Sequence, residues 1–283
     1  MNKSMRKFFR GGNGNSVNTS SFSATLSERS PKIIMIVIAV VLVVFIIIQF
    51  YHSFSNFKNQ QLYLINGNSS ANYMKTINGS LIPFPQNQPQ GVEYSYSFWL
   101  FVQEWPTLSP LNPTTHACVL YKGTNYHTLQ PTVTSGYNPV NIPSQAPGIY
   151  LNRETNNLTV FVNTLSSSST VPLTSFDVEN IPIQEWVHVT FVQTGNICNV
   201  YINGNIKKSI TLENTPALNY GDLYVNAFGG YNGYISNLQY FGYTLKAYQI
   251  EKIVRNGPAL TECIETKLPV PVKLGQDYWF IPN

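Results

Sequence analysis

Apolar residues are spread very unevenly along this chain. Sixteen in a row, Ile33 to Ile48, continue through Gln49 to Phe50 and Tyr51. As a helix, residues 33–51 would cover roughly 28 Å at about 1.5 Å per residue, close to the ~30 Å hydrocarbon thickness of a bilayer. The β-branched content would suit a buried strand, but strands rarely exceed about ten residues. A cleavable signal peptide has an apolar core of about 7–15 residues ending in small side chains, whereas Gln49-Phe50-Tyr51-His52 follows here. The pattern therefore predicts one uncleaved transmembrane helix over residues 33–51.

Its flanks set an orientation, because Lys and Arg are retained on the cytoplasmic side. Lys3, Arg6, Lys7, Arg10, Arg29 and Lys32 precede the span, and Lys58 is the sole Lys or Arg in the twenty residues after it. The N-terminus is expected in the cytosol and the remainder on the opposite side. Residues 1–32, Gly-, Asn- and Ser-rich without apolar periodicity, read as a flexible cytosolic tail. Residues 52–90, ending in Pro83, Pro85 and Pro89, read as a stalk, since proline disfavours both helix and central strand.

From residue 91 the pattern becomes one of short aromatic and β-branched runs divided by Gly, Pro and Asn. Strands are predicted over 94–102, 117–122, 148–152, 157–163, 186–193, 197–202, 205–212, 222–228 and 234–243. A Pro-broken insertion and a loop with Pro131, Pro139, Pro143 and Pro147 interrupt them. Asn203-Gly204 supplies the two positive-φ residues of a type I′ hairpin turn, so 186–212 is expected to be a three-stranded meander. Val187, Val189 and Phe191 alternate with His188 and Thr190, placing one face in a core. The one helix of this region is 245–255, where Ala247, Ile250 and Val254 recur at helical spacing before Gly257-Pro258. Many strands and one small helix predict an all-β, antiparallel jelly-roll β-sandwich over 91–258, with a C-terminal tail at 259–283.

Of the residues, 11% are charged, while Tyr (18) and Phe (16) are plentiful, as suits β structure with uncharged loops. The formal charge of +4 arises mostly before the span, and no basic stripe calls for nucleic acid. Cys118, Cys198 and Cys263 allow one disulfide with a spare, or three thiols. Asn68, Asn78 and Asn157 head acceptor tripeptides for N-glycosylation on the expected outer side.

Tyr96-Ser97-Phe98-Trp99-Leu100, Trp186-Val187-His188-Val189-Thr190-Phe191, Val200-Tyr201-Ile202-Asn203-Gly204 and Gly233-Tyr234-Ile235-Ser236-Asn237-Leu238-Gln239-Tyr240, closed by Thr244-Leu245 into a helix, occur in this order. By these pieces residues 91–258 resemble the concanavalin A-like lectin/glucanase superfamily, in its laminin G-like branch. The resemblance implies a jelly roll of two curved sheets that binds glycans or proteins. Some relatives hydrolyse polysaccharides with paired carboxylates about 5 Å apart in a Glu-x-Asp-x-x-Glu run, which this chain lacks. Asp177 and Glu179 are read as loop acids before Pro182, and no catalytic residue is assigned. Calcium, held by some relatives, would have Asp222 with Asn226, or Asp177 with Glu179, as candidate ligands; no other cofactor is implied.

His188 is read as a structural histidine, since no Ser, Cys or Asp partner is identifiable from sequence. Trp105, Tyr121, Tyr126, Tyr137 and Tyr231 lie at or near expected loops, where an exposed ring could stack on a sugar or meet a protein. Tyr278-Trp279-Phe280 in the tail is expected to fold back or to dock on another protein. The chain also resembles membrane and capsid-associated proteins of large DNA viruses. That implies a non-enzymatic, single-pass virion membrane protein meeting capsid or surface proteins. The alternative is a membrane-anchored lectin.

Overall fold

The computed structural model describes residues 20–59, 61–85, 87–88, 91–108, 114–128, 138–165 and 172–262. The chain divides into two compact units, residues 1–56 and 57–283.

The first unit is built on helix α1, Ser20–Asn59, which runs through Pro31. Its segment Pro31–Tyr51 has a mean hydropathy of 3.5 and none of it is buried against protein. A helix that is apolar all round suits lipid, because its backbone polar groups bond within the helix itself. The helix begins earlier than expected, so residues 20–32 belong to it instead of forming the expected flexible tail, and it continues in spite of Pro31, whose ring disfavours a helix interior. It also ends later, at Asn59. Residues 1–19 lie outside the described residues.

The second unit is a sandwich of two antiparallel sheets. Its strands are β1 (Gln61–Ser70), β2 (Lys75–Ile77), β3 (Asn87–Gln88), β4 (Gly91–Val102), β5 (His116–Gly123), β6 (Gln145–Asn152) and β7 (Asn157–Asn163). They continue with β8 (Leu173–Glu179), β9 (Trp186–Thr194), β10 (Ile197–Ile202), β11 (Asn205–Thr211), β12 (Asp222–Val225) and β13 (Gly233–Phe241). The first sheet has the order β1-β13-β4-β9-β10-β11, with β3 beside β4; the second has the order β2-β12-β5-β6-β7-β8.

The expected stalk is therefore a correction. Residues 61–70 form the edge strand of the first sheet against β13, and 75–77 form the edge strand of the second against β12. Leu64, Ile65, Ile77 and Ile82 enter the core. Pro83 and Pro85 follow these strands, so they do not exclude residues 61–77 from the sheets. Pro147, expected in a loop, lies within β6.

Period-2 alternation fills the space between the sheets. From β4 the inward set is Tyr94, Tyr96, Phe98, Leu100 and Val102; from β9 it is Val187, Val189 and Phe191. The outward set on β9, His188 and Thr190, is also fully buried. Asn203 (φ 50°) and Gly204 (φ 83°) make the turn between β10 and β11, closing the expected meander. Helix α2 (Ala247–Asn256) lays Ile250, with Leu245 before it, on Val192 and Phe241 of the first sheet's outer face. On the second sheet's outer face Cys118, Tyr121, Ile142, Tyr150, Phe161 and Tyr224 form a separate apolar cluster.

Cys118 and Cys198 are free buried thiols, and Cys263 lies outside the described residues. Beyond Arg255, the chain returns across the first sheet: Ser236 Oγ donates to Ala259 O (2.9 Å), and Asn68 N donates to Thr261 O (2.7 Å). The expected tail thus joins the sandwich as far as Glu262, while Tyr278-Trp279-Phe280 lies outside the described residues.

Candidate functional site

Strands β1, β4, β6 and β12 all end at one rim of the sandwich, and the loops leaving them enclose an open cleft of about 290 Å³. It is lined by Asn72, Glu104, Trp105, Arg153, Gly230 and Asn232, among others. Backbone hydrogen bonds lock these loops together. Gln103 N donates to Asn232 O (2.9 Å), Ala71 N to Gly233 O (2.9 Å) and Arg153 N to Thr115 O (2.9 Å). Gly230 has a left-handed backbone (φ 52°), and a Cβ there would strike Ala71 O, so only glycine permits this closure.

Two of the expected ring residues meet here. Trp105 is half-buried, packs on the main core and donates from Nε1 to Asn152 O (2.9 Å), so its ring is fixed. Tyr231 lines the cleft but is buried, and its hydroxyl donates to Tyr234 O (3.1 Å); burial raises its pKa well above the ordinary phenol value.

The other rings lie elsewhere. Tyr121 is a correction: it is fully buried on β5, stacked on Tyr224 at 5.0 Å and near Phe228 at 6.0 Å. Tyr126 is half-buried in the same layer, 5.0 Å from Phe228. Tyr137 lies outside the described residues.

What sequence reading missed at the rim is Arg153. It is half-buried, one Nη donates to Thr107 O (3.2 Å), and its Nε is buried without a partner. Burial lowers its pKa, and among the described residues it makes no ion pair. No local motif marks it; only its place after β6 brings it beside Trp105. A cation desolvated in this way attracts a carboxylate, and a bidentate pair is the geometry a guanidinium favours.

The calcium candidates are separated. Asp222 opens β12 and Asn226 follows its end, about 13 Å apart at roughly 3.3 Å per residue, whereas calcium holds oxygens at about 2.3–2.6 Å. Asp222 accepts from Gly79 N (2.8 Å), and Asn226 is fully buried with neither side-chain atom hydrogen-bonded. Among the described residues no three His, Cys, Asp or Glu side chains gather as a metal site. Asp177 and Glu179 are also corrected: they stand on β8, two apart and so on one face, with Asp177 accepting from Thr159 Oγ1 (2.6 Å).

Of the glycosylation candidates, Asn78 is exposed and caps a 3-10 turn by accepting from Ser80 N (2.8 Å). Asn68 is half-buried within β1, and Asn157 half-buried at the start of β7.

His188 has a partner that the sequence did not reveal. Ser97 Oγ lies 2.9 Å from Nε2, and Thr190 Oγ1 lies 3.5 Å from Nδ1. All three side chains are fully buried, and burial pushes the His188 pKa down to about 4, so the imidazole is neutral near pH 7. An unfolded histidine protonates near pH 6.5. Between pH 6.5 and 4 the unfolded chain therefore takes up a proton that the folded one refuses, and stability falls as pH falls. The expected loss is at most about 3 kcal/mol across that window. Denaturation midpoints measured from pH 7 to 4 will show it, and His188→Gln will remove that part of the slope.

The family described as the concanavalin A-like lectin/glucanases superfamily, Laminin_G_3, matches residues 69–251. No curated protein matches. Similar solved structures include the binding domain of botulinum neurotoxin DC in complex with SialylT, at 16% identity and TM-score 0.42, covering 58% of this chain and 35% of that one. Another is the receptor binding domain of the botulinum neurotoxin mosaic serotype C/D, at 13% identity and TM-score 0.44, covering 70% and 45%. This chain thus spans less than half the length of those chains.

Proposed function

The chain belongs to the concanavalin A-like lectin/glucanase superfamily, and from its rim cleft we propose that it is a non-enzymatic recognition module, tethered to a membrane by α1. The basic residues before the span support an N-terminus in the cytosol and a sandwich across the bilayer. In this reading the module docks on a protein through the cleft. Where the membrane is a virion's, capsid or surface proteins are its partners. The observation that carries the reading is Arg153, half-buried beside the fixed ring of Trp105, its Nε without a hydrogen-bond partner and its charge without an ion pair among the described residues: a carboxylate of the partner completes it.

Cross-linking of the full chain in its native membrane tests this. Arg153→Gln is expected to weaken capture of the specific neighbour roughly tenfold to a hundredfold, as about 1.5–3 kcal/mol for a hydrogen bond to a charged group implies. Unchanged capture by this variant would refute docking through the cleft. A second reading, a membrane-anchored lectin, is favoured by a separate cleft on the first sheet's outer face, walled by rings and neutral amides.

A further inference from the structure

Between α2 and the outer face of β1, β13 and β4 lies a cleft of about 360 Å³, within the range of small-ligand sites. Trp99 and Gln239 contribute to it from the sheet, Gln61 and Tyr63 from the edge strand, and Tyr248 and Lys252 from the helix. Trp99 is 7% exposed and braced against the His188 ring at 5.0 Å; Tyr63 is 43% exposed and Tyr248 67%.

Gln239 is 4% exposed and accepts from Gln61 Nε2 (3.2 Å), which fixes its amide. Among the described residues the Gln239 amide nitrogen and the Trp99 indole nitrogen have no hydrogen-bond partner, yet neither is sealed off from solvent. A polar side chain this deeply buried, with its donor left open toward a cleft, is arranged for a ligand that accepts hydrogen bonds.

We infer that this cleft is a saccharide-binding site, separate from the rim cleft. The inference deepens the lectin reading by naming the site and the ligand class. A sugar has C–H faces and a girdle of hydroxyls. Tyr63 and Tyr248 offer flat apolar faces for the first, and the Gln61 and Gln239 amides offer donors and acceptors for the second. Among the described residues no carboxylate lines the cleft, and Glu251, the acid of α2, is paired with Arg255 at 2.7 Å. Lys252 is the one cation among the described residues that line it, so a saccharide bearing an acidic group gains a partner there.

The test is an array of neutral and acidic oligosaccharides probed with the full chain in lipid nanodiscs, followed by titration of the tightest binder. Tyr248→Ala and Gln61→Ala change exposed side chains and leave the fold intact. Each is expected to weaken binding at least tenfold, while Arg153→Gln leaves it unchanged. No array binding at millimolar saccharide overturns the inference, as does binding that both cleft variants retain. Binding that appears only after removal of residues 263–283 also overturns it, because the chain's own tail would then be the occupant. Failure of protein docking is read separately, from cross-linking of Arg153→Gln, so either reading can fall alone.

Discussion

A chain shortened to begin at Gly91, where strand-like sequence first becomes obvious, is expected not to fold. Such a fragment lacks β1 and β2, and with them one edge strand of each sheet. It also loses Leu64, Ile65, Ile77 and Ile82 from the core. At about 1.5–3 kcal/mol for each fully buried aliphatic side chain, this removes roughly 6–12 kcal/mol. That is the size of a domain's whole stability, about 5–15 kcal/mol. The loss also bares the edges of β12 and β13, which invites strand-to-strand association. A fragment beginning at Phe57 should melt cooperatively, as followed by circular dichroism, while one beginning at Gly91 should show no transition and aggregate. If both melt alike, residues 61–82 are dispensable and the account of the core is wrong.

Tyr121→Ala is expected to destabilise the sandwich by about 3–5 kcal/mol, the usual cost of emptying a buried aromatic site. Its ring stacks on Tyr224 at an interplanar angle of 23°, with Phe228 on the same layer. Burial raises its pKa, because the charged phenolate would be stranded among apolar neighbours. Tyr126→Ala, at a half-buried position, should cost markedly less. Chemical denaturation of the full chain separates the two. A variant at Tyr121 that kept its stability and lost only ligand binding would restore this ring to the role its sequence position implied.

These two results bear on what a linear reading can resolve. The apolar run, the Asn203-Gly204 turn, the meander of β9, β10 and β11, and the closing helix were all legible, because each rests on local chemistry: hydropathy, positive φ, and spacings of two or 3.6. Strands β1 and β2 were not. Three prolines in 52–90 argue locally against strand, and partners lying far along the chain give no local signal. Strand β8 is hidden for a similar reason, since Pro182 shortly after Asp177 and Glu179 reads as a loop.

The rim shows the same limit. Trp105 and Tyr231 were found because aromatic residues near loops stand out. Arg153 did not, since its meaning comes from a neighbour 48 positions away and from burial. Tyr121 failed in the opposite direction: it lies close to a loop in sequence, yet the layer of rings over the second sheet encloses it. The cleft beside α2 joins Gln61 to Gln239 and Tyr248, a convergence that only the finished topology creates.

The position of β1 and β2 has a consequence for how the protein is made. Ser70 pairs with Tyr234, and Ile77 with Leu223, so 164 and 146 residues of chain must emerge after these strands before their partners exist. At about 5–20 residues per second, synthesis leaves them waiting for roughly 10–30 seconds. By then α1 has left the ribosome, while β1 and β2 have stayed without their partners. Sandwich closure therefore comes last, after β12 and β13 have emerged.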